Sequence, residues 1–465
     1  MYSKMKSKGA CWGLYVLIGT CLSFSFHGMA RGEDESQTKQ VFTLKQLIDL
    51  AIAKSPEMGE SRMEIEAAKS DLAQAEAAYY PQVDITALTG PVSDADEPEI
   101  RNNRIHDPSP DGGLSSIGIF GRLDFTVTQP IYTFGKLFNQ REAARLGAEA
   151  KEFLLLKKRL ETALRVKQLY YALILSRQGV GAADDAGEFF DDARKRIERL
   201  LKLESTNVVE SDLYKVDAYR AASIRSRAEA EKGAKLSYFA LKSLIRFSPD
   251  EEFDVLEKRL PFRHKDLDDL KEYIRLAFEN RPEYKQIQKA VEAKEFQVKA
   301  ARSDRYPSFF AALEGSFAGS PNREKFDNPY ISDEFNHSYV GILAGMKWEL
   351  DCGIKKARED KMRAEYRKLL HTKSVADMNI PIQIAKIYQE ILEWEKAAES
   401  YHKAAVASRK WVVSALGDFD MGVGTAENLL YAIEKYGENE SKYIESLFNY
   451  HLTIAELQYA VGKED

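Results

Sequence analysis

The sequence predicts a mainly α-helical chain with a small β part, in which very long helices alternate with only four strands. Three observations carry this prediction. Tracts rich in Ala, Leu, Glu and Lys run for long distances, and 136–203 holds no proline. Short segments of strict apolar/polar alternation occur at four places only. The chain also repeats itself: a helical pattern that switches to strand alternation at Tyr80-Pro81 does so again 226 positions later, at Tyr306-Pro307.

In chain order, the first thirty residues read as a removable leader. Lys4, Lys6 and Lys8 form a positive start, 10–26 is apolar, and Gly28-Met29-Ala30 offers small residues for cleavage. Residues 1–30 are therefore expected to be a signal peptide and 31–465 a single mature unit. Cys21 follows Thr20, a poor fit to a lipidation motif, so no lipid anchor is expected there. Cleavage removes three lysines, taking the net charge from −6 to −9. No basic face appears, so nucleic acid is not expected as a partner. Only Cys352 remains after cleavage, which rules out an intramolecular disulfide. No Ser-His-Asp elbow, HExxH motif or phosphate-cradling glycine loop is present, so the chain is not expected to be an enzyme, and no cofactor or metal site is expected. Beyond the leader no run of eighteen apolar residues occurs. A chain of this kind enters a membrane only as part of a closed β-barrel.

The repeat divides the mature chain into halves at about 41–247 and 266–462, joined by a linker at 248–265. Pro56-Glu57 aligns with Pro282-Glu283 without a gap from the Tyr-Pro pairs, Gly135 aligns with Gly353 at an offset of 218, and Leu213-Tyr214 with Leu430-Tyr431 at 217. Each half reads as helix, strand, loop, strand, very long helix, turn, helix. Pro81 and Pro307 stop the first helix, because proline lacks an amide donor and drives its predecessor out of helical geometry.

Past Pro81, Val83, Ile85 and Ala87 point one way and Gln82, Asp84 and Thr86 the other. In the second strand Leu123, Phe125 and Val127 share a face opposite Arg122, Asp124, Thr126 and Thr128. Phe309, Ala311 and Leu313 repeat the apolar face, and Val340, Ile342, Ala344 and Met346 follow it, with Lys347 on the other side. The intervening segments 90–118 and 319–337 read as solvated loops, with His106 and His337 as surface residues.

The tract 136–203 is about 100 Å long as a helix and must pack along partners. Phe153, Leu156, Leu160, Ala163, Tyr170 and Ile174 form one seam, and Ala186, Phe189, Ala193, Leu200 and Leu203 another. Gly179, Gly181 and Gly187 mark a bend or are simply tolerated. The long helices end in hairpin tips, at Glu204–Asn207 and at Met421–Thr425, far from the strands.

Four strands cannot close a barrel, since the smallest membrane barrels have eight, so copies of the chain must pool strands: two give eight, three give twelve. The helix then stops at Tyr-Pro because the tube passes there from water into membrane. Tyr80 and Tyr306 suit that boundary, where an aromatic has one apolar and one wet end. A soluble periplasmic coiled-coil scaffold is the rival reading, and it leaves the strand faces unexplained.

The order of these features resembles the TolC family of outer-membrane efflux proteins over essentially the whole mature chain. It rests on the duplicated plan, the Tyr-Pro junctions, Thr128-Gln129-Pro130-Ile131-Tyr132 with Gly135 entering the long helix, and the Gly422-Val423-Gly424-Thr425 tip. The resemblance implies a homotrimer whose twelve-stranded barrel continues into a long periplasmic α-helical barrel, located in the outer membrane of a Gram-negative bacterium. It also implies docking of a periplasmic adaptor and an inner-membrane pump of RND, ABC or MFS type, in efflux or type I secretion. Val83, Ile85, Leu123, Phe125, Val127, Phe309, Leu313 and Ile342 are then expected to face lipid, and Asn207, Val208, Gly422, Val423, Gly424 and Thr425 to contact the adaptor. Asp212 resembles the first-copy aspartate that helps hold the family's tip shut. In the second copy Asn428 and Tyr431 stand where the best-known member has aspartates, the turn is about two residues shorter, and Asp418, Asp420 and Glu427 are the remaining candidates for an acidic aperture.

Overall fold

The computed structural model describes residues 40–97, 99–106, 117–248, 250–326 and 332–464. The predicted signal segment with Cys21, and the loop prolines Pro98, Pro108, Pro110 and Pro329, lie outside these residues. The elements are β1 (Gln40–Phe42), α1 (Leu44–Lys54), α2 (Pro56–Ala77), β2 (Gln82–Ser93), β3 (Glu99–Arg101), β4 (Arg104–His106), β5 (Ile117–Tyr132), α3 (Lys136–Lys202) and α4 (Glu210–Leu244). The chain continues through β6 (Phe253–Val255), α5 (Leu270–Asn280), α6 (Pro282–Ser303), β7 (Ser308–Gly319), β8 (His337–Lys347), α7 (Ile354–Asp420) and α8 (Ala426–Ala460).

The helices of the two halves agree in length. The first pair has 11 residues each, the second 22, the long pair 67 and the last pair 35. Pro56 and Pro282 each open the second helix, where a missing amide costs nothing. The long helices begin at equivalent turns. Gly135 and Gly353 carry φ of +82° and +126°, which explains why glycine stands at both places. α3 runs unbroken through Gly179, Gly181 and Gly187, so these glycines end no helix. α7 likewise continues through Pro381, where Ile380, Ile384 and Ile387 are anchored in an apolar core with Tyr450 and Leu457.

The helical seams differ in phase from the sequence expectation. Leu160, Ala163, Tyr170, Ile174, Ala186 and Ala193 are buried, but Leu156 and Leu203 are exposed; Phe190 and Ile197 fill the lower core instead. A 3.5-residue repeat drifts against the 3.6-residue helix over so long a span. The start of the last helix also differs from the 217 offset. α4 and α8 begin at Glu210 and Ala426, 216 apart, after turns of seven and five residues (203–209 and 421–425).

The main sheet has the order β2-β5-β7-β8, antiparallel throughout, so β2 and β8 are its two edges. Two small sheets escaped the sequence reading of only four strands. β1 pairs in parallel with β6, putting the linker strand Phe253–Val255 against the chain start. β3 and β4 form a hairpin turning at Asn102 and Asn103, both with positive φ, inside the segment read as loop; β2 also extends past Gly90 to Ser93.

Near the middle of the shaft, Leu47, Ile48, Val166, Leu173, Leu241, Phe253 and Val255 make one core. The linker is held to it by Arg177–Asp254 (2.6 Å), by Leu260 N–H donating to Gln178 Oε1 (3.3 Å) and by Tyr450 O–H donating to the Arg263 carbonyl (3.1 Å).

Candidate functional site: a two-faced sheet and a helical tip

Register across the sheet sorts the strand residues into two faces. Val83 pairs with Val127, Val127 with Leu313 and Leu313 with Ile342, making one apolar row. Next to it run Ile85, Phe125, Gly315 and Val340, and then Ala87, Leu123 and Phe317. Tyr132, Phe309 and Met346 end the band at the helix side. All eight residues expected to face lipid therefore lie on one face. In the single chain Val83, Ile85, Leu123, Phe309 and Ile342 are exposed, while Phe125, Val127 and Leu313 are half-buried among their cross-strand neighbours. Phe125 stacks on Phe317 at 6.2 Å.

The opposite face is polar at its centre, with Leu88 toward one end and Phe310, Ala312 and Leu343 toward the helices. Asp84, Thr126 and Glu314 form one row, and Thr86, Asp124, Ser316 and Tyr339 the next. Arg122 pairs with Asp124 at 2.9 Å, and the Ser316 hydroxyl donates to the same carboxylate. His337, read from sequence as a loop surface residue, instead opens β8 half-buried. Its ring spans the Ser316 hydroxyl (2.7 Å) and the Asp333 carbonyl (2.8 Å).

Aromatic side chains collect where strands meet helices. Tyr80, Tyr306, Tyr132 and Trp348 are exposed there, directly beside Pro81 and Pro307. Phe134 stacks on Tyr306 at 5.1 Å, and the Trp348 indole donates to the Arg305 carbonyl at 3.0 Å. Beneath them Glu359 is buried and receives Arg305 (3.2 Å) and Arg363 (2.5 Å), pinning the second turn of α7 to the segment just past α6.

At the far end two tips lie together. Asn207 donates through Nδ2 to the Gly422 carbonyl, and Arg196 on α3 pairs with Asp420 on α7. Gly422 has φ of +75°, and the amides of Val423 and Gly424 both return to the Asp418 carbonyl (3.1 and 3.0 Å). Thr425 caps α8 by accepting the Asn428 amide (3.2 Å). Val423 is 78% exposed. Val208, expected to contact a partner, is only 6% exposed and sits in the lower core with Phe419 and Leu429; a short turn must bury one apolar residue to hold its two helices.

The expected aperture residues do not form one ring within the chain. Asp212 is 7% exposed and caps α4, accepting the Val209 amide (3.1 Å) and Lys215 Nζ (3.2 Å). Asp212 and Asn428 hold the same position, three residues after the caps Val209 and Thr425. Asp418 is half-buried and Asp420 is engaged by Arg196. Glu427 and Asn428 are exposed and line a groove of about 640 Å³ with Lys215, Tyr219 and Tyr431. Lys215 and Tyr219 were not singled out from sequence; the spacing of three from Asp212 to Lys215 and of four from Lys215 to Tyr219 was the available signal.

The described residues thus combine an open four-stranded sheet with one apolar face, an aromatic collar and a shaft of 67-residue helices. Residues 47–188 match the model of a family described as outer membrane efflux protein. Solved channels share the fold. The outer-membrane channel OprN is 17% identical, with 90% of this chain and 89% of that one aligned at a TM-score of 0.75. CusC is 14% identical (90% and 92%, TM-score 0.73), and VceC of Vibrio cholerae 16% (90% and 96%, TM-score 0.71). No curated protein matches the sequence significantly. The chain therefore shares the fold of these outer-membrane channels, and residues 47–188 are similar to the outer membrane efflux protein family.

Proposed function

We propose that this protein is the outer-membrane exit duct of a tripartite efflux or type I secretion system, assembled from three copies. Twelve pooled strands cross the membrane and the helices continue as a tube through the periplasm. Each 67-residue helix spans about 100 Å at about 1.5 Å per residue. The observation that carries this reading is the main sheet. It has two unpaired edges, an apolar and a polar face, and a direct continuation into helices at an aromatic collar.

The duct conducts passively. The polar rows around Asp84, Asp124 and Glu314 line its membrane part, and the apolar rows meet lipid. A periplasmic adaptor docks at the exposed tip around Val423, and an inner-membrane pump supplies the energy. Opening requires the tip hairpins to move apart, a change that needs only a few kcal/mol between two states biased by adaptor contacts. Reconstitution in planar bilayers tests the reading. Discrete conductance steps from the purified protein support it, and a protein that leaves bilayers silent and fractionates as soluble sinks it.

A further inference from the structure

β2 and β8 are the unpaired edges of the sheet; α2 runs into β2, and β8 runs on into α7. Joining β8 of one copy to β2 of the next therefore lays the start of α7 beside α2 of its neighbour. These two helices carry opposite free charge. On α2, Glu57, Glu60, Glu66, Asp71 and Glu76 have no salt-bridge partner within the described chain, against one free base, Arg62. On α7 up to Met378, the acids Glu359, Glu365 and Asp377 are paired internally. Among the described residues, Lys356, Arg358, Lys361, Arg367 and Lys368 are left without a salt bridge, against one free acid, Asp360.

The heights agree as well. Glu66 and Arg367 lie about 17 and 20 Å from the membrane ends of their helices, and Glu60 and His371 both about 26 Å, at about 1.5 Å per residue. On α2 the buried Met58, Ser61 and Ile65 leave Glu60, Met63 and Glu66 facing outward. On α7 an open groove is lined by that helix alone, through Ala364, Arg367, Lys368 and His371, and continues below into exposed Val375, Met378 and Ile382.

We infer that α2 and α7 form a charge-matched seam between neighbouring copies of this chain, which sets the direction and register in which they join. This inference rests on the duct reading above. Acid against base steers the correct edge-to-edge encounter and repels α2–α2 or α7–α7 pairing.

The test uses the full-length protein extracted from membranes and weighed intact across a sodium chloride series. Four forms are compared: wild type, E60K/E66K, R367E/K368E, and the chain carrying all four changes. Each half-reversed chain should lose about tenfold in trimer association at low salt and recover part of it as salt screens the repulsion. The four-change chain, with its charges swapped, should trimerise at low salt again, which shows that the half-reversed chains did not merely fail to fold. Half-reversed chains that trimerise like wild type at every salt, or a four-change chain no better than either half, would overturn the seam. A wild-type chain that is never trimeric would overturn the duct reading and the seam with it.

Discussion

Val83 and Ile342 stand on opposite edges of the sheet yet belong to one row, joined through Val127 and Leu313. Both are exposed, Ile342 at 87%. Among the described residues no helix covers this row, which runs from edge to edge, and the exposed aromatics Tyr80, Tyr306 and Trp348 lie at its helix end.

The first prediction concerns this face. Leu123 lies between Ala87 and Phe317, well inside the apolar band. Leu123→Arg should destabilise the inserted protein by about 2–4 kcal/mol. Thr126→Arg, on the polar face, should be tolerated. Denaturant titration in detergent or vesicles separates the two, and equal losses would contradict the assignment of faces.

At the tip, Val423 and Gly424 are adjacent but not equivalent probes. A Cβ on Gly424 would come within 2.9 Å of the Phe419 amide nitrogen and 3.0 Å of the Asp418 carbonyl carbon. Gly424→Ala should therefore distort the turn and cost about 1–3 kcal/mol locally. Val423→Glu points into solvent and should change stability by no more than about 0.5 kcal/mol. It should nevertheless abolish export with the trimer intact. Full export by the Val423→Glu protein would show that the tip is not the docking surface.

Asp212 makes a different prediction from the one its resemblance to a gate residue suggests. Its carboxylate holds the Val209 amide and Lys215. Asp212→Ala should cost about 1 kcal/mol by loss of the cap. Hydrogen exchange should then quicken over 209–215. Unchanged exchange with an altered conductance would assign the residue to the aperture instead.

The linker carries a pH-dependent tie. His264 contacts Glu395 on α7 through Nδ1 and Asp266 through Nε2 (3.2 Å). The hydrogen bond and charge of Glu395, aided by Asp266, raise the His264 pKa above its usual value. A histidine raised on folding adds stability below about pH 6.5, and that contribution disappears as pH climbs through the raised value. Protection over 263–268, taken against the intrinsic exchange rate at each pH, should thus be higher at pH 6 than at pH 8.5, and His264→Gln should remove the difference. Equal protection at both pH values in the native chain would contradict the tie.

The parts legible in sequence were those enforced locally. The prolines of Tyr80-Pro81 and Tyr306-Pro307 bar the preceding helix from continuing, and alternation over ten residues reveals a strand face. Gly135 and Gly353 were found as a matched pair because a left-handed turn admits few other residues. What was not legible depends on distant partners. β1 and β6 are three residues each, too short to alternate, and exist because each completes the other. The β3–β4 hairpin turns on Asn102-Asn103, a weaker signal than Asn-Gly, within a run of prolines and acids that reads as loop. Phe190 and Ile197 replaced Leu203 in the lower core because α8 and α7 choose which stripe of α3 is covered. Val208 and Asp212 looked like surface tip residues until the packing of a seven-residue turn turned one inward and bound the other to its own backbone.

The most direct measurement is the mass of the native protein extracted from outer membrane in detergent and kept intact. The account predicts three chains, with no folded membrane-inserted single chain, because four strands leave β2 and β8 unpaired. A stable single chain recovered mainly in the soluble fraction would contradict the pooled barrel and leave the apolar face without a purpose.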